Sequence, residues 1–267
     1  MPYLVMLCTC VPDRVRRACE ARGLGAVAVN VARHRLDDLS DPQLLKVLMG
    51  WVRASAVLGV WASLPWATWA PGPLRVRKFD SALHVSRASE AACRAVRVAN
   101  ALAESTVKLI AECIFRRVPI IFMHPESSLV WRHPRLSPLL ASASSSCSLD
   151  SCMYAGRVRQ RIHLVGWGVR DLGRLARRCL CAQGLCDRTH RRHLGGLGRP
   201  ALDAVARSSA KGLPLEVAMA GTDMIVAEAR QLSRAARYNK MFGHGVIRLL
   251  PPVQTSVWYR VCASLLA

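Results

Sequence analysis

Short apolar runs of strand length alternate with segments of helical periodicity along most of this chain. The apolar runs cover residues 3–8, 26–31, 57–63, 119–123 and 161–167. Helical patterns start at Pro12, after Asp41 and at Ala99, and another covers residues 214–237. Strands that alternate with helices need crossover connections and therefore pair mainly in parallel. The pattern predicts an α/β fold with a mostly parallel sheet, with Leu7 and Val60 on central strands.

The other segments are interpreted by composition. Residues 71–92 are predicted to form a basic loop, residues 141–148 an exposed serine-rich segment, and residues 169–180 a basic helix. Residues 54–74 carry no charge but contain three prolines, which favours a strand and a loop over a membrane span. The first residues lack the basic flank of a signal peptide. We therefore expect no membrane contact, reduced cysteines and an intracellular location, in the nucleus or the cytoplasm.

The charge of the chain is strongly positive. Net charge is +21, and 38 residues are basic. Only five of these are lysines: Lys46, Lys78, Lys108, Lys211 and Lys240. Arginine binds phosphate bidentately and stacks on bases, so one interpretation is contact with DNA or RNA through an arginine-rich surface. A coding bias toward arginine explains the same composition without a function.

Three stretches carry a family resemblance when they are taken in order. The first runs from Leu58-Gly59-Val60-Trp61 into Pro65. The second covers residues 118–131, and the third runs from residue 150 through Arg161 to Gly166-Trp167. In this order they resemble cytosine-5 DNA methyltransferase-like proteins that are often carried by mobile elements. The resemblance implies a Rossmann-like methyltransferase fold, with an α/β domain over residues 1–237 and an apolar C-terminal tail over residues 238–267.

The resemblance also implies a set of site residues. S-adenosylmethionine would lie against the turn at Cys8, Thr9 and Cys10, with Asn30 in place of the acid that binds ribose. The nucleophile position follows Pro65 and holds Trp66 instead of cysteine. Met123-His124-Pro125 stands where the family has Glu-Asn-Pro, and Arg159 and Arg161 match its arginine pair.

These replacements bear directly on catalysis, because attack on cytosine needs a thiolate. The resemblance therefore implies an S-adenosylmethionine-dependent DNA methyltransferase-like protein with impaired catalysis. The alternatives are a non-enzymatic basic protein that binds nucleic acid, and a decayed reading frame without a selected function.

A cysteine- and histidine-rich segment offers a further site. Its possible ligands are Cys179, Cys181, Cys186, His190 and His193. Three of these, Cys179, Cys186 and His193, match positions that recur in the related proteins, which implies a structural zinc ion. Free cysteines in a basic loop are the alternative. The arginines of residues 170–178 and 188–192 are interpreted either as phosphate contacts or as a solvated face.

Overall fold

The structure is a computed structural model that describes residues 3–7, 12–29, 38–66, 68–70, 83, 89–154, 160–179 and 215–242. Six strands form one sheet within these ranges. The strands are β1 (Tyr3–Leu7), β2 (Gly25–Val29), β3 (Val57–Ala62), β4 (Ile120–Pro125), β5 (Ser145–Asp150) and β6 (Arg161–Trp167). The α helices are α1 (Pro12–Glu20), α2 (Pro42–Arg53), α3 (Glu90–Phe115), α4 (Ser137–Leu140) and α5 (Leu215–Phe242). Short 3-10 turns cover Leu129–Arg132, Ser151–Tyr154 and Leu172–Leu175.

The strands lie in the order β2-β1-β3-β4-β6-β5. β1 pairs in parallel with β2 and β3, and β3 pairs in parallel with β4. β6 is antiparallel to both β4 and β5, so it alone runs against the other strands. The chain is therefore α/β with a mixed sheet. Leu7 and Val60 lie on β1 and β3, each of which has a paired strand on both sides, as the sequence predicts.

Helices cover both faces of the sheet. Side chains alternate between the two faces along a strand. Val60 and Phe122 therefore point toward α2 and α3, and they share a buried apolar cluster with residues such as Leu48. Trp61 points to the opposite face, where α1 and α5 pack, and Ile225 joins it there. Each fully buried side chain of this size contributes about 1.5–3 kcal/mol relative to leaving it exposed.

Two glycines let α5 approach the sheet closely. Gly221 on α5 faces the ring of Trp61, and a Cβ added at Gly221 would lie 2.9 Å from Trp61 Cη2 and 3.3 Å from Ile121 Cδ1. Gly59 on β3 faces Ile225 of α5, and a Cβ there would also lie 3.1 Å from the carbonyl oxygen of Pro119. α5 therefore comes close to the sheet at these two glycines, which have no side chain to hold the two backbones apart.

α3 begins earlier than the sequence pattern predicts. The helix starts at Glu90 rather than at residue 99, and the hydroxyl of Ser89 caps it by accepting from the backbone N–H of Ala92 at 3.3 Å. Its first turns are exposed on most sides, including Arg94 and Val98. Because this part buries little, it lacks the apolar periodicity by which the rest of the helix is recognised.

The serine-rich segment of residues 141–148 runs into a strand, so the prediction of an exposed segment is wrong for residues 145–148. β5 is an edge strand that pairs with β6. Cys147 and Leu149 are buried, while Ser146 is exposed and Ser148 is half-buried. The alternation of buried and more exposed residues expected of a strand is present, but serines at the outward positions are more typical of a loop.

The predicted basic helix over residues 169–180 is also wrong. Within residues 169–179, which the structure describes, only the 3-10 turn at Leu172–Leu175 is helical. Gly168 and Asp171 have left-handed backbone angles, with φ of 59° and 64°, and an α helix cannot pass through such positions. The residues after the turn run beside β5, where the Arg177 carbonyl accepts from the N–H of Asp150 at 2.8 Å. No helix in the described ranges is long and apolar enough to span a bilayer.

Candidate functional site

The carboxyl ends of β1, β3 and β4 lie side by side at one edge of the sheet, which is called the carboxyl edge below. α1 connects β1 to β2 and packs on one face, while α3 connects β3 to β4 and packs on the other. Chain connections that leave neighbouring strands toward opposite faces open a crevice at their carboxyl ends. Ligands of open α/β sheets bind in such crevices, so the end of β3 beside β1 is a candidate site.

Two of the predicted site segments meet at the carboxyl edge. Pro65 and Trp66 follow β3, and His124 and Pro125 end the neighbouring strand β4. The ring centroids of Trp66 and His124 are 6.0 Å apart, with the planes tilted by 58°. Trp66 is half-buried, and its Nε1 donates to the Oγ of Ser63 at 3.3 Å. Trp66 therefore lies next to His124, with its ring tilted against the imidazole.

His124 is fully buried in an aromatic environment. Its ring stacks near Phe122 at a centroid distance of 6.3 Å and meets Trp131 edge-on at 6.3 Å. Neither ring nitrogen makes a well-formed hydrogen bond with the described residues. The backbone of Leu64 interacts with the ring and acts to raise the pKa of His124, against the larger effect of burial. Burial lowers the pKa of His124 to about 3, so the imidazole is neutral at pH 7.

An orphaned buried imidazole needs an explanation, since buried polar atoms almost always have a partner. A neutral imidazole presents one donor and one acceptor. A water molecule or a polar ligand group that reaches the ring would hydrogen-bond to one of its nitrogens. His124 therefore gives this edge a polar group suited to an uncharged partner.

Trp131 closes the other side of this cluster. Its Nε1 donates to the carbonyl of Pro125 at 2.8 Å, which fixes the ring against the end of β4. The ring is half-buried and meets His163 of β6 edge-on, with the centroids 4.9 Å apart. His124 and His163 are register partners across β4 and β6, so both imidazoles lie on the same face of the sheet.

Arg161 lies at the same edge and is held by two carboxylates. Its Nε donates to Asp150 Oδ1 at 3.2 Å, and its Nη1 is 3.4 Å from Glu126 Oε2. The hydrogen bond that Arg161 donates to Asp150 raises the pKa of Arg161 above its ordinary value. Asp150 is buried and also accepts from the backbone N–H of Cys179 at 2.7 Å. Because its charge is balanced within the protein, Arg161 is a poor phosphate contact in this arrangement.

Several predicted site residues lie outside the described residues. They are Cys8, Thr9, Cys10, Asn30, Arg159, Cys186 and His193. Of the predicted zinc ligands only Cys179 is described, and it is buried beside Asp150. No group of three or more histidines, cysteines or acids in the described ranges is placed to hold a metal ion. The zinc site therefore remains a sequence-based prediction.

One cluster at this edge has no counterpart in the sequence predictions. The Oγ of Ser148 donates to Glu126 Oε1 at 2.7 Å and lies 3.0 Å from Nδ1 of His163. The cluster joins β5, β6 and the turn after β4. The only sequence signal for it was the alternation of polar and apolar residues in β5, which the serines obscured.

No family model, no curated protein and no solved structure matches this chain. Its function is therefore inferred from the carboxyl edge and from the charge of the protein.

Proposed function

We propose that this protein has a Rossmann-like, methyltransferase-like fold that binds S-adenosylmethionine and nucleic acid but does not methylate cytosine. The observation that carries the proposal is the contact between Trp66 and His124 at the carboxyl edge. The resemblance assigns the nucleophile to position 66 and the Glu-Asn-Pro motif to residues 123–125. These two segments, 57 residues or more apart in sequence, lie together as parts of one site should.

The side chains at this edge argue against methyl transfer. Indole has no ionisable nucleophile, and covalent attack on cytosine requires a thiolate. Away from this edge, Cys147 on β5 and Cys19 near the end of α1 offer no replacement, because burial raises the pKa of each thiol to about 11. Met123 also replaces the glutamate of the motif and has no proton to give. The proposed site therefore lacks the cysteine and the glutamate of the family, although its two segments meet at the carboxyl edge.

Cofactor binding is supported by the sheet topology. Leu7 and Val29 are register partners at the ends of β1 and β2. Cys8 and Asn30 follow them directly in sequence. In doubly wound sheets, nucleotide-containing ligands bind across the first strand ends, with an acid after the second strand on the ribose. S-adenosylmethionine would supply the methyl group in this chemistry, and Asn30 offers an amide in place of the acid.

We expect calorimetric titration with S-adenosylmethionine to detect binding, and Asn30→Asp to tighten it roughly tenfold. A charged acceptor strengthens a hydrogen bond by about 1.4 kcal/mol, which corresponds to that factor. Gln231→Glu is the control, because it makes the same charge change on α5. The Gln231 side chain accepts from Arg170 at 3.4 Å, and Arg170 follows the end of β6 at the opposite edge of the sheet.

Two outcomes would each contradict a different part of the proposal. The cofactor assignment is lost if folded wild-type protein and the Asn30→Asp variant both give no heat. The assignment of impaired catalysis is lost if the wild-type protein transfers a radiolabelled methyl group to cytosine-containing DNA.

The charge favours a second candidate function, a nucleic-acid-binding protein that needs no cofactor. Arg17, Arg94, Arg97 and Arg178 are exposed and form no ion pair with other described residues. Unpaired arginines release counterions from nucleic acid on binding, so affinity should fall steeply with salt. Binding of a labelled oligonucleotide that has this salt dependence and is unchanged by S-adenosylmethionine would favour the second candidate.

A further inference from the structure

Glu126, Ser148 and His163 form a continuous hydrogen-bonded chain from the surface to a half-buried imidazole. The Ser148 hydroxyl lies 2.7 Å from Glu126 Oε1 and 3.0 Å from His163 Nδ1. Ser148 and His163 are register partners on β5 and β6, which places their side chains on one face with Cβ atoms about 5 Å apart. Glu126 is exposed, and Ser148 and His163 are half-buried. The three groups therefore connect the interior of the sheet with solvent.

The chemistry of these groups fixes where the protons lie. An ionised carboxylate only accepts hydrogen bonds, so the single hydroxyl proton of Ser148 is donated to Glu126. Ser148 Oγ then accepts from His163, which requires the proton of the neutral imidazole to be on Nδ1. The lone pair is left on Nε2. These hydrogen bonds thus hold His163 in the tautomer in which Nε2 is a base.

The surroundings keep this arrangement in place. Arg161 lies 3.4 Å from Glu126 Oε2 and is itself held by Asp150, so the carboxylate is anchored at its second oxygen. Burial lowers the pKa of His163, while Glu126 and the backbone of Cys147 oppose the shift. His124, its register partner on β4, is neutral, so the charged groups around His163 are Glu126 and the Asp150–Arg161 pair. His163 is accordingly unprotonated at neutral pH.

Trp131 indicates what kind of molecule suits this position. Its ring meets that of His163 edge-on at 4.9 Å and is half-buried, so a flat aromatic group has a surface to pack on beside the base. A substrate with an aromatic leaving group would bring its reacting carbon near the imidazole.

We infer that His163 is the general base of a second site, which hydrolyses aryl esters, with Ser148 and Glu126 as the residues that position it and relay its proton. This site goes beyond the proposed cofactor and nucleic-acid function and does not rest on it. His163 Nε2 takes a proton from water as the water oxygen bonds to the ester carbonyl carbon. The Nδ1 proton moves to Ser148, whose own proton moves to Glu126. When the tetrahedral adduct breaks its bond to the aryl oxygen, the phenol leaves with one proton, the relay reverses, and a carboxylic acid is the other product.

The test is hydrolysis of 4-nitrophenyl acetate by the full-length protein, followed by release of nitrophenol. We expect His163→Ala to lower the rate above background by on the order of 100-fold, the usual contribution of a general base. Ser148→Ala and Glu126→Gln should each lower it by roughly tenfold and change its pH profile. Ser146→Ala is the matched control, because Ser146 lies on the same face of β5 two residues away and is exposed. That variant should hydrolyse the ester at the wild-type rate.

A purely structural role for the hydrogen bonds among Glu126, Ser148 and His163 predicts different results. A cross-strand tie would change the urea unfolding midpoint of Ser148→Ala without changing the rate of ester hydrolysis. The nitrogen chemical shifts of the imidazole report the tautomer directly, and we expect Nδ1–H in the wild type and a shift toward Nε2–H in Ser148→Ala. His163→Gln replaces His163→Ala if the latter does not fold. Equal rates in the wild type and the His163 variant, or equal losses in Ser146→Ala and Ser148→Ala, would overturn the inference.

Discussion

Acidification is expected to destabilise this protein through His124, and replacement of His124 by phenylalanine should remove that effect. The histidine has an ordinary pKa of 6.5 and a pKa of about 3 in the fold, because burial opposes its charge. Above pH 6.5 the ring is neutral in both states and contributes no pH dependence. Below pH 6.5 the unfolded chain binds a proton that the folded protein does not, so stability falls by about 1.4 kcal/mol for each pH unit. The loss reaches roughly 2 kcal/mol at pH 5 and roughly 4 kcal/mol near pH 3.

Urea unfolding of the wild type and His124→Phe at pH 7, 5 and 4 measures this difference. The variant retains an aromatic ring between Phe122 and Trp131, and it removes two buried nitrogens that lack partners among the described residues. We therefore expect it to be at least as stable as the wild type at pH 7. All other titrating groups are shared by the two proteins, so they cancel in the comparison. Parallel loss of stability in both proteins on acidification would show that His124 is protonated in the fold.

The strands that could be predicted from sequence are those with continuous apolar runs, including the half-buried edge strand β2. β3 and β4 read as nearly continuous apolar runs because helices cover both sides of them. β5, the other edge strand, was missed because serines occupy its outward positions and interrupt the apolar run. The start of α3 was misplaced for a similar reason, since its first turns project beyond the packed core. In each case the periodicity reports burial, and it fades where burial ends.

The sequence predicts only part of the candidate site. Trp66 follows β3 and His124 lies near the end of β4, and the two meet because the carboxyl ends of parallel neighbouring strands lie at one edge whatever the detailed packing. Ser148 and His163 meet only because β5 and β6 pair in one particular register. A shift of one residue would send these side chains to opposite faces, and sequence patterns do not specify an edge-strand register that closely. Likewise, the two carboxylates that hold Arg161 come from distant segments, so its ion pairs were not foreseen.

Adding a single methyl group at Gly221 is expected to destabilise the protein by about 1–3 kcal/mol, the usual cost of overpacking a core. The new Cβ of Gly221→Ala would lie 2.9 Å from Cη2 of Trp61, a fully buried ring with no space into which to move. Gly59→Ala should cost a similar amount, because its Cβ would overlap Ile225 and approach the carbonyl of Pro119 at 3.1 Å. Both effects follow from the contact between α5 and β3.

Gly50→Ala is the matched control for these two substitutions, since a Cβ at Gly50 meets nothing within 4 Å. Gly50 lies inside α2, where alanine is a better helix former, so this variant should be more stable by about 0.5–1 kcal/mol. Combining Gly59→Ala with Ile225→Ala should cost less than the sum of the single changes, because the second removes the side chain that the first displaces. Urea unfolding of the full-length variants measures each value. Additive costs in the double variant would mean that Ile225 does not lie against Gly59, and that α5 does not pack on the sheet through this contact.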